Sequence, residues 1–530
     1  MKKLYTILLA AGLVSATASA ATPSLLMSRP ECTRVAKAMA KSHASRAGET
    51  TEWTEWQSAG TGTLTMSEDF ALFTGMDEWQ GDFAGKTVDV RHATDNDHVL
   101  QYRFNSVFND ANIVVDVDLD KGTLKLKPQE TNIVDLFFEL PLIVADFATC
   151  YETISSAENL GMDEESFQEV IDAYAAYNYY IPELQRFYIY TGYFHEGDDD
   201  VSALCDLTFQ MDGATDYTPS LKPTSLFFNE TKAPKIDVTF PDETSYLSYT
   251  VLPGQYTSKK LQTLINGEGT RLDKSGAVDI ASPANGLNTF IAITYGTESG
   301  YALETAHVEF TYSPDEADQW KSLGMTDITT DILEIINDEQ PRSYKVELQQ
   351  NIDNDSLYRI VNAHGAAYPG NESEADYDTS VNHYLVFDVS NPEDVKLTPA
   401  HVEKNLTAPV FVMGTAEMLT EAGKNETTVR TYRGKFADGA ITFPNEGLTL
   451  GCSNWTLFQD DLPAEGFVNT NLSGEFKITI PSTQGIADAV ATDNASAEYY
   501  SLQGIRVAAP AAGTVVIERR GSTVRKVFVK

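Results

Sequence analysis

One short step occurs twice in this chain, far apart, and it constrains the fold more than any other feature. Trp56-Gln57-Ser58-Ala59-Gly60 is answered by Trp320-Lys321-Ser322-Leu323-Gly324. Further matches follow in the same order. Val88-Asp89-Val90 answers Tyr344-Lys345-Val346. Tyr102-Arg103-Phe104-Asn105 answers Tyr358-Arg359-Ile360-Val361-Asn362. Val115-Asp116-Val117 with Leu126-Lys127-Pro128 answers Phe387-Asp388-Val389 with Leu397-Thr398-Pro399. Last, Tyr190-Thr191-Gly192-Tyr193-Phe194 answers Tyr432-Arg433-Gly434-Lys435-Phe436, each leading to a strand, at 207–209 and 441–443. Matches in one order at similar spacing mark a duplication, and its period is that of a domain, not of a solenoid repeat.

Within each copy, apolar and polar residues alternate over short runs separated by Gly, Asn or Asp, which is how half-buried antiparallel strands read. The expected class is mainly β: tandem antiparallel β-sandwich or barrel-like domains, with one or two short helices. Residues 163–180 form an insertion of the first copy whose acidic start and apolar spacing (Phe167, Val170, Ile171, Tyr174) suit an amphipathic helix. A second helix is expected at 34–42.

A chain of 530 residues exceeds one core, at about 100–200 residues per domain. The expected division is 53–218 for the first copy, 219–232 as a Pro/Ser/Thr/Asn-rich linker, 233–313 as a third β unit, 314–481 for the second copy, 482–497 as a linker and 498–530 as a β-rich tail. Residues 21–52 read as a linker with the short helix.

The net charge of −39 excludes a nucleic-acid partner, which needs clustered Lys and Arg. The acid is spread in short clusters, as on a solvated surface. Four cysteines, Cys32, Cys150, Cys205 and Cys452, are too few for a stapled scaffold. Cys150 and Cys205 share a predicted domain and could pair; free thiols are the alternative.

No G-x-S-x-G, H-E-x-x-H or P-loop pattern occurs, and no two of the eight histidines stand at metal-ligand spacing. No catalytic residue, cofactor or metal site is assigned. His195-Glu196 with Asp198-Asp199-Asp200 reads as a polar loop before a cation site. Asp116-Val117-Asp118-Leu119-Asp120-Lys121-Gly122 starts like an EF-hand loop, but Lys121 and Lys127 stand where Gly and Glu belong, so a hairpin turn is expected. Aromatics carry the binding signal. Trp56 and Trp320 recur at one repeat position and read as core. Tyr177, Tyr179 and Tyr180 form a less periodic run and are the candidate ligand-binding residues, for a glycan or a protein.

The two ends speak of export. Lys2-Lys3, an apolar run over 4–14 and Ala18-Ser19-Ala20 form a signal-peptide pattern, with cleavage expected after Ala20; no segment is long and apolar enough for a transmembrane span. At the other end stand Glu498-Tyr499-Tyr500-Ser501-Leu502-Gln503-Gly504-Ile505-Arg506-Val507, Thr514-Val515-Val516-Ile517 and Lys526-Val527-Phe528-Val529-Lys530. This stretch resembles the C-terminal tails of exported Bacteroidota proteins, the type IX cargo. That resemblance implies recognition by the outer-membrane export machinery and display at the cell surface or release; the tail is shorter than the full sorting domains of that system. Residues 233–313, opening Ala233-Pro234 and carrying Thr289-Phe290-Ile291-Ala292-Ile293-Thr294-Tyr295, resemble a fibronectin type III or related immunoglobulin-like sandwich, without the Trp that many such domains bury. The expected function is a non-catalytic exported binding protein. A structural spacer or assembly subunit, and a hydrolase with an unrecognised site, are the alternatives.

Overall fold

The computed structural model describes residues 51–66, 81–108, 110–134, 140–196, 201, 203–297, 299–333, 335, 341–371, 377, 381–403, 410–452, 467–481, 498–501, 506–508, 510–520 and 523–528. The proposed signal peptide, the helix expected at 34–42, Cys32, the acidic run 198–200 and the linker 482–497 lie outside these residues. Strands dominate, as expected. Two compact units, divided near residue 315, are taken in turn.

The first copy is one antiparallel sheet. Its strands are β1 (Gln57–Met66), β2 (Gly81–His92), β3 (Val99–Phe108), β4 (Ala111–Asp118), β5 (Thr123–Lys125), β6 (Gln129–Val134), β7 (Pro141–Asp146), β8 (Tyr179–Ile181), β9 (Arg186–Phe194) and β10 (Ala203–Met211). Helices α1 (Phe147–Ile154), α2 (Ala157–Leu160) and α3 (Glu164–Ala175) link β7 to β8. The sheet order is β5-β4-β3-β2-β1-β10-β9-β7-β6, with β8 on β9. Its far ends meet: the Gln129 amide of β6 accepts from Val114 N at 2.8 Å and donates to Val114 O at 2.6 Å, closing β6 onto β4. Phe104, Phe108, Val115, Val144, Phe187, Tyr193 and Phe209 fill the interior. Six α-helices occur among the described residues, more than the one or two expected.

The middle module is a two-sheet sandwich. Strands β11 (Ser220–Pro223), β13 (Lys235–Thr239) and β16 (Gly276–Asp279) make one sheet; β12 (Phe227–Phe228), β18 (Ala302–Tyr312), β17 (Gly286–Tyr295), β14 (Tyr246–Pro253) and β15 (Thr270–Leu272) make the other, each in that order. Two strands thus come from the stretch expected to be a linker. Leu221 and Phe228 side with the sandwich core, and burial of these apolar residues decides the matter. Phe290 and Ala292 of β17 face that core, while Ile291 and Ile293 meet Leu261 and Leu264 of helix α4 (Ser258–Ile265), so β17 is buried on both faces.

The second copy, in the other unit, repeats the strand succession of the first, with two of the strands each broken in two. It comprises β19 (Trp320–Thr330), β20 (Arg342–Asn351), β21 (Leu357–Val361), β22 (Tyr384–Asp388), β23 (Lys396–Leu397), β24 (Ala400–Glu403), β25 (Val410–Gly414), α5 (Thr415–Glu421), α6 (Glu426–Arg430), β26 (Lys435–Ala437), β27 (Ala440–Thr442), β28 (Leu448–Gly451), β29 (Phe467–Thr470) and β30 (Lys477–Thr479). One sheet runs β23-β22-β21-β20-β19-β30-β27-β26 and a second runs β24-β25-β28-β29. Registers coincide. Ser58 pairs with Asp89 and Ser322 with Gln349; each ladder then slips at a bulge ending on Gly60 or Gly324. Both glycines have positive φ, 119° and 88°, a conformation that costs Gly least. Asp89 pairs with Arg103 and Gln349 with Arg359; Tyr102 with Val115 and Tyr358 with Phe387; Gln129 with Val144 and Ala400 with Val412; Phe187 with Phe209 and Ile441 with Ile478.

Four expectations need correction. Asp89 and Gln349 hold the same place opposite Arg103 and Arg359, so Val88-Asp89-Val90 is the counterpart of 348–350 and not of 344–346. Phe436 pairs with Ile441 as Tyr180 pairs with Phe187, so the stretch 432–436 is the counterpart of 176–180 and not of 190–194. The strand beside β19 that answers β10 is β30, not the one at 441–443. The helices are also no insertion of the first copy alone. Gly161 (φ 68°) precedes the Asp163 cap of α3, and Gly423 (φ 72°) precedes the Asn425 cap of α6. The copies differ where β9 and β10, continuous in the first, break into β27/β28 and β29/β30 in the second. Buried Asn471 spans the break, donating to Phe443 O and Pro444 O at 3.1 and 2.6 Å and accepting from Phe476 N at 3.1 Å. Its side chain thereby supplies bonds that the interrupted ladder loses.

The tail is a four-stranded sheet, β32 (Arg506–Val507), β31 (Glu498–Tyr500), β33 (Val515–Arg520) and β34 (Thr523–Phe528), in that order.

Candidate functional site

Strand alternation puts Gln101, Arg103 and Asn105 on the face of the first sheet opposite the Tyr102–Phe104 core side. Neighbouring strands bring polar partners to the same face. Arg103 donates to Asp89 Oδ2 from Nε and Nη2 at 3.1 and 2.6 Å, and Asn105 adds a third donor at 3.0 Å. Asn105 and Arg103 together hold the Asp89 carboxyl below its ordinary range. Arg91 donates to Gln101 Oε1 at 2.8 and 2.6 Å, Gln101 to Asp116 at 2.6 Å, and Lys127 pairs with Asp116 at 2.6 Å. Over this network lies Trp56, with the guanidinium carbons of Arg91 and Arg103 at 4.3 and 4.5 Å from its ring centroid.

The second copy builds the same stack. Arg359 lies 4.4 Å from the centroid of Trp320 and 3.8 Å from that of Tyr384, and donates to Gln349 Oε1 at 2.7 Å. Here Arg359 is only 3 % exposed. Met325, paired with Glu347 on this face, is 59 % exposed. The expectation that Trp56 and Trp320 are core is therefore corrected: both are half-buried on the outward face, because each precedes the bulge that turns the strand and each finds a cation to lie on.

The tyrosine run lies elsewhere. Tyr179 is 5 % exposed and turned inward. It stacks on Tyr188 and joins Tyr217, Leu303 and Tyr301 where the first copy meets the middle module. Polar contacts frame that joint: Arg186 pairs with Glu304 at 2.6 Å, Glu183 accepts from Ser299 N and Oγ at 2.9 and 3.0 Å, and Thr294 donates to Tyr217 O at 3.0 Å. Tyr180 packs on Phe187 and Tyr102 with ring centroids 4.4 and 5.7 Å away, and burial drives its phenol pKa strongly upward. Tyr177 is half-buried against Tyr190.

Other predicted features fall into place as structure. Residues 116–122 form the β4–β5 hairpin, with Lys121 bonded to Asp118. His195 is buried, its Nδ1 3.1 Å from Pro141 O. Cys150, Cys205 and Cys452 are buried and no disulfide joins any two of them, so Cys150 and Cys205 do not pair; burial pushes the Cys150 thiol up to about 12. Sequence spacing missed one association: His364 and His383, 19 residues apart in the chain, come together in the second copy, both buried. Burial and the neighbouring His383 depress the His364 imidazole to about 3. Among the described residues no three His, Cys, Asp or Glu side chains converge on a point that could hold a metal ion, and no described helix is long and apolar enough to cross a membrane.

No family model matches this chain, and no curated protein or solved structure matches it.

Proposed function

We propose that this chain is a non-catalytic binding protein, exported to the cell surface or secreted, that recognises protein partners through the outward faces of its two β bodies. One observation carries the reading: both copies keep a half-buried Trp stacked with an Arg on the same face, at Trp56–Arg103 and Trp320–Arg359. Trp, Tyr and Arg are the residue types that dominate binding hot spots. A glycan is the less favoured ligand, because a sugar ring stacking on Trp56 would compete with two guanidinium groups already over that ring. The middle module is read as the fibronectin type III-like spacer, with a three-stranded sheet facing the strand series β18-β17-β14-β15. The tail is read as the segment handed to the outer-membrane machinery.

The test presents the mature chain to a panel of purified secreted and surface proteins and to a glycan array. Saturable binding to a protein is expected. It should weaken at least about tenfold in Trp56→Ala or Trp320→Ala, as hot-spot truncation does, with the circular dichroism unchanged. Binding to glycans alone, or protein binding indifferent to both substitutions, would refute the reading. A spacer role is the second reading, favoured by the Arg186–Glu304 and Glu183–Ser299 contacts that fix the middle module to the first copy.

A further inference from the structure

The outward faces of the two copies part company along one row of the sheet. In the first copy that row is small and polar: Thr61 pairs with Thr87, and Asn105 donates to Thr87 Oγ1 at 3.3 Å. In the second copy Met325 pairs with Glu347, and Glu347 with Val361. Strand alternation sets these three outward, on the side of Arg359 and away from buried Val346, Leu348 and Ile360. A carboxylate has moved with the change. In the first copy it is Asp89, already bound by Arg103 and Asn105. In the second copy neutral Gln349 holds that place, and the acid stands one rung further along, at Glu347.

Glu347 accepts from Gln349 Nε2 at 3.0 Å, and among the described residues no Lys or Arg pairs with it. Met325 beside it is more than half exposed, and Val361 is half-buried. The row thus offers an apolar contact and an unneutralised acid as direct cross-strand neighbours, their β carbons about 5 Å apart. We propose that the Met325–Glu347–Val361 row takes a segment of a partner protein that presents an aliphatic side chain beside a Lys or Arg, and that it gives the second copy a specificity the first copy lacks. The inference rests on the reading of this face as a protein-binding surface. Met is the adaptable apolar contact of such surfaces. Charge complementarity selects the other group: a cation set against Glu347 is attracted, whereas an acid there is repelled. The net charge of −39 steers the same kind of partner inward. The first copy offers neither element, since Thr61 Oγ1 is bonded to Asp212 at 2.5 Å and Asp89 is neutralised.

The experiment titrates the immobilised full chain with two short fluorescent peptides, each built on a central Leu, flanked by Lys in one and by Glu in the other. The ionic strength is about 0.15 M, where exposed charges farther apart than about 8 Å are largely screened. Saturable binding of the Lys-flanked peptide is expected, at least about tenfold tighter than that of the Glu-flanked one. Glu347→Lys should remove the preference by strengthening the Glu-flanked peptide, a gain that unfolding would not produce. Met325→Thr, which installs the residue of the first copy, should weaken the Lys-flanked peptide at least about fivefold. No saturable binding, equal binding of both peptides, a preference unchanged by Glu347→Lys, or binding indifferent to Met325→Thr would overturn the assignment. A purified protein partner that still loses affinity in Trp320→Ala would, beside any of those results, leave the broader reading of the face standing without this specificity.

Discussion

Arg359 and Arg103 do the same job under different burial, and their substitution should show it. Arg103 is partly exposed and shares Asp89 with Asn105, so Arg103→Ala should cost about 1 kcal/mol, the scale of an exposed cation–π contact with a weak ion pair. Arg359 is held between two rings out of water; Arg359→Ala should cost roughly 2–3 kcal/mol, and Arg359→Lys should not restore it, because an ammonium lacks the planar stacking surface. Urea titration of each variant measures both. A second expectation concerns His98, whose Nδ1 lies 2.6 Å from Asp120. That carboxylate raises the His98 pKa above 6.5, so its small stabilising effect is complete below the unfolded pKa and is lost as pH rises through the folded one. An NMR titration should find the raised value, and Asp120→Asn should bring it back down. The residues that made the repeat legible are those with a geometric duty: Trp, Ser and Gly at the bulge, Tyr and Arg at the stack. The burial of Tyr179 was not legible, because Tyr and Phe serve equally well as core, as joint and as surface, and sequence does not say which.

At the scale of elements, the two helix starts exchange parts. Asp146 caps α1, accepting from Thr149 N and Oγ1 at 2.9 Å and from Leu126 N at 2.8 Å. In the second copy Gly414 replaces the Asp and α5 has no side-chain cap; the carboxyl of Glu417, which stands where Thr149 does, fills the space beside Gly414. Burial raises both carboxyl pKa values. Asp146→Ala should therefore cost about 1–2 kcal/mol, the range of a lost cap. Gly414→Asp should destabilise on its own, since a side chain there runs into the Glu417 carboxylate, and Gly414→Asp/Glu417→Thr should recover most of the loss. A double-mutant cycle by thermal melting decides it. The same scale explains the misplaced last match. Extra residues at 443–447 and 471–476 break two strands and destroy the spacing, so a short aromatic–Gly–aromatic resemblance won over the true register. The histidine pair was illegible for a related reason: the excursion after β21 separates in sequence what the hairpin joins in space.

At the scale of the molecule, the first copy and the middle module should behave as one body. Arg186 links Gln210, Tyr188 and Glu304, and Tyr179, Leu303 and Tyr217 form an apolar seal beside it. Calorimetry of the full chain should show these two domains melting in one transition, which Arg186→Ala/Glu304→Ala should split or broaden. Two unlinked transitions in the unmodified chain would contradict the joint. The mainly β class and its antiparallel strands were legible from alternation and turns; the recruitment of strands within 219–232 into the sandwich was not, since polar, Pro-rich composition hides short strands.

The carboxamide that draws β6 onto β4 carries a last consequence. By offering one donor and one acceptor at Val114, Gln129 imitates a peptide unit of a neighbouring strand. A foreign chain seeking to add itself along this rim finds the position already taken, so the body is protected against edge-to-edge aggregation without an additional strand.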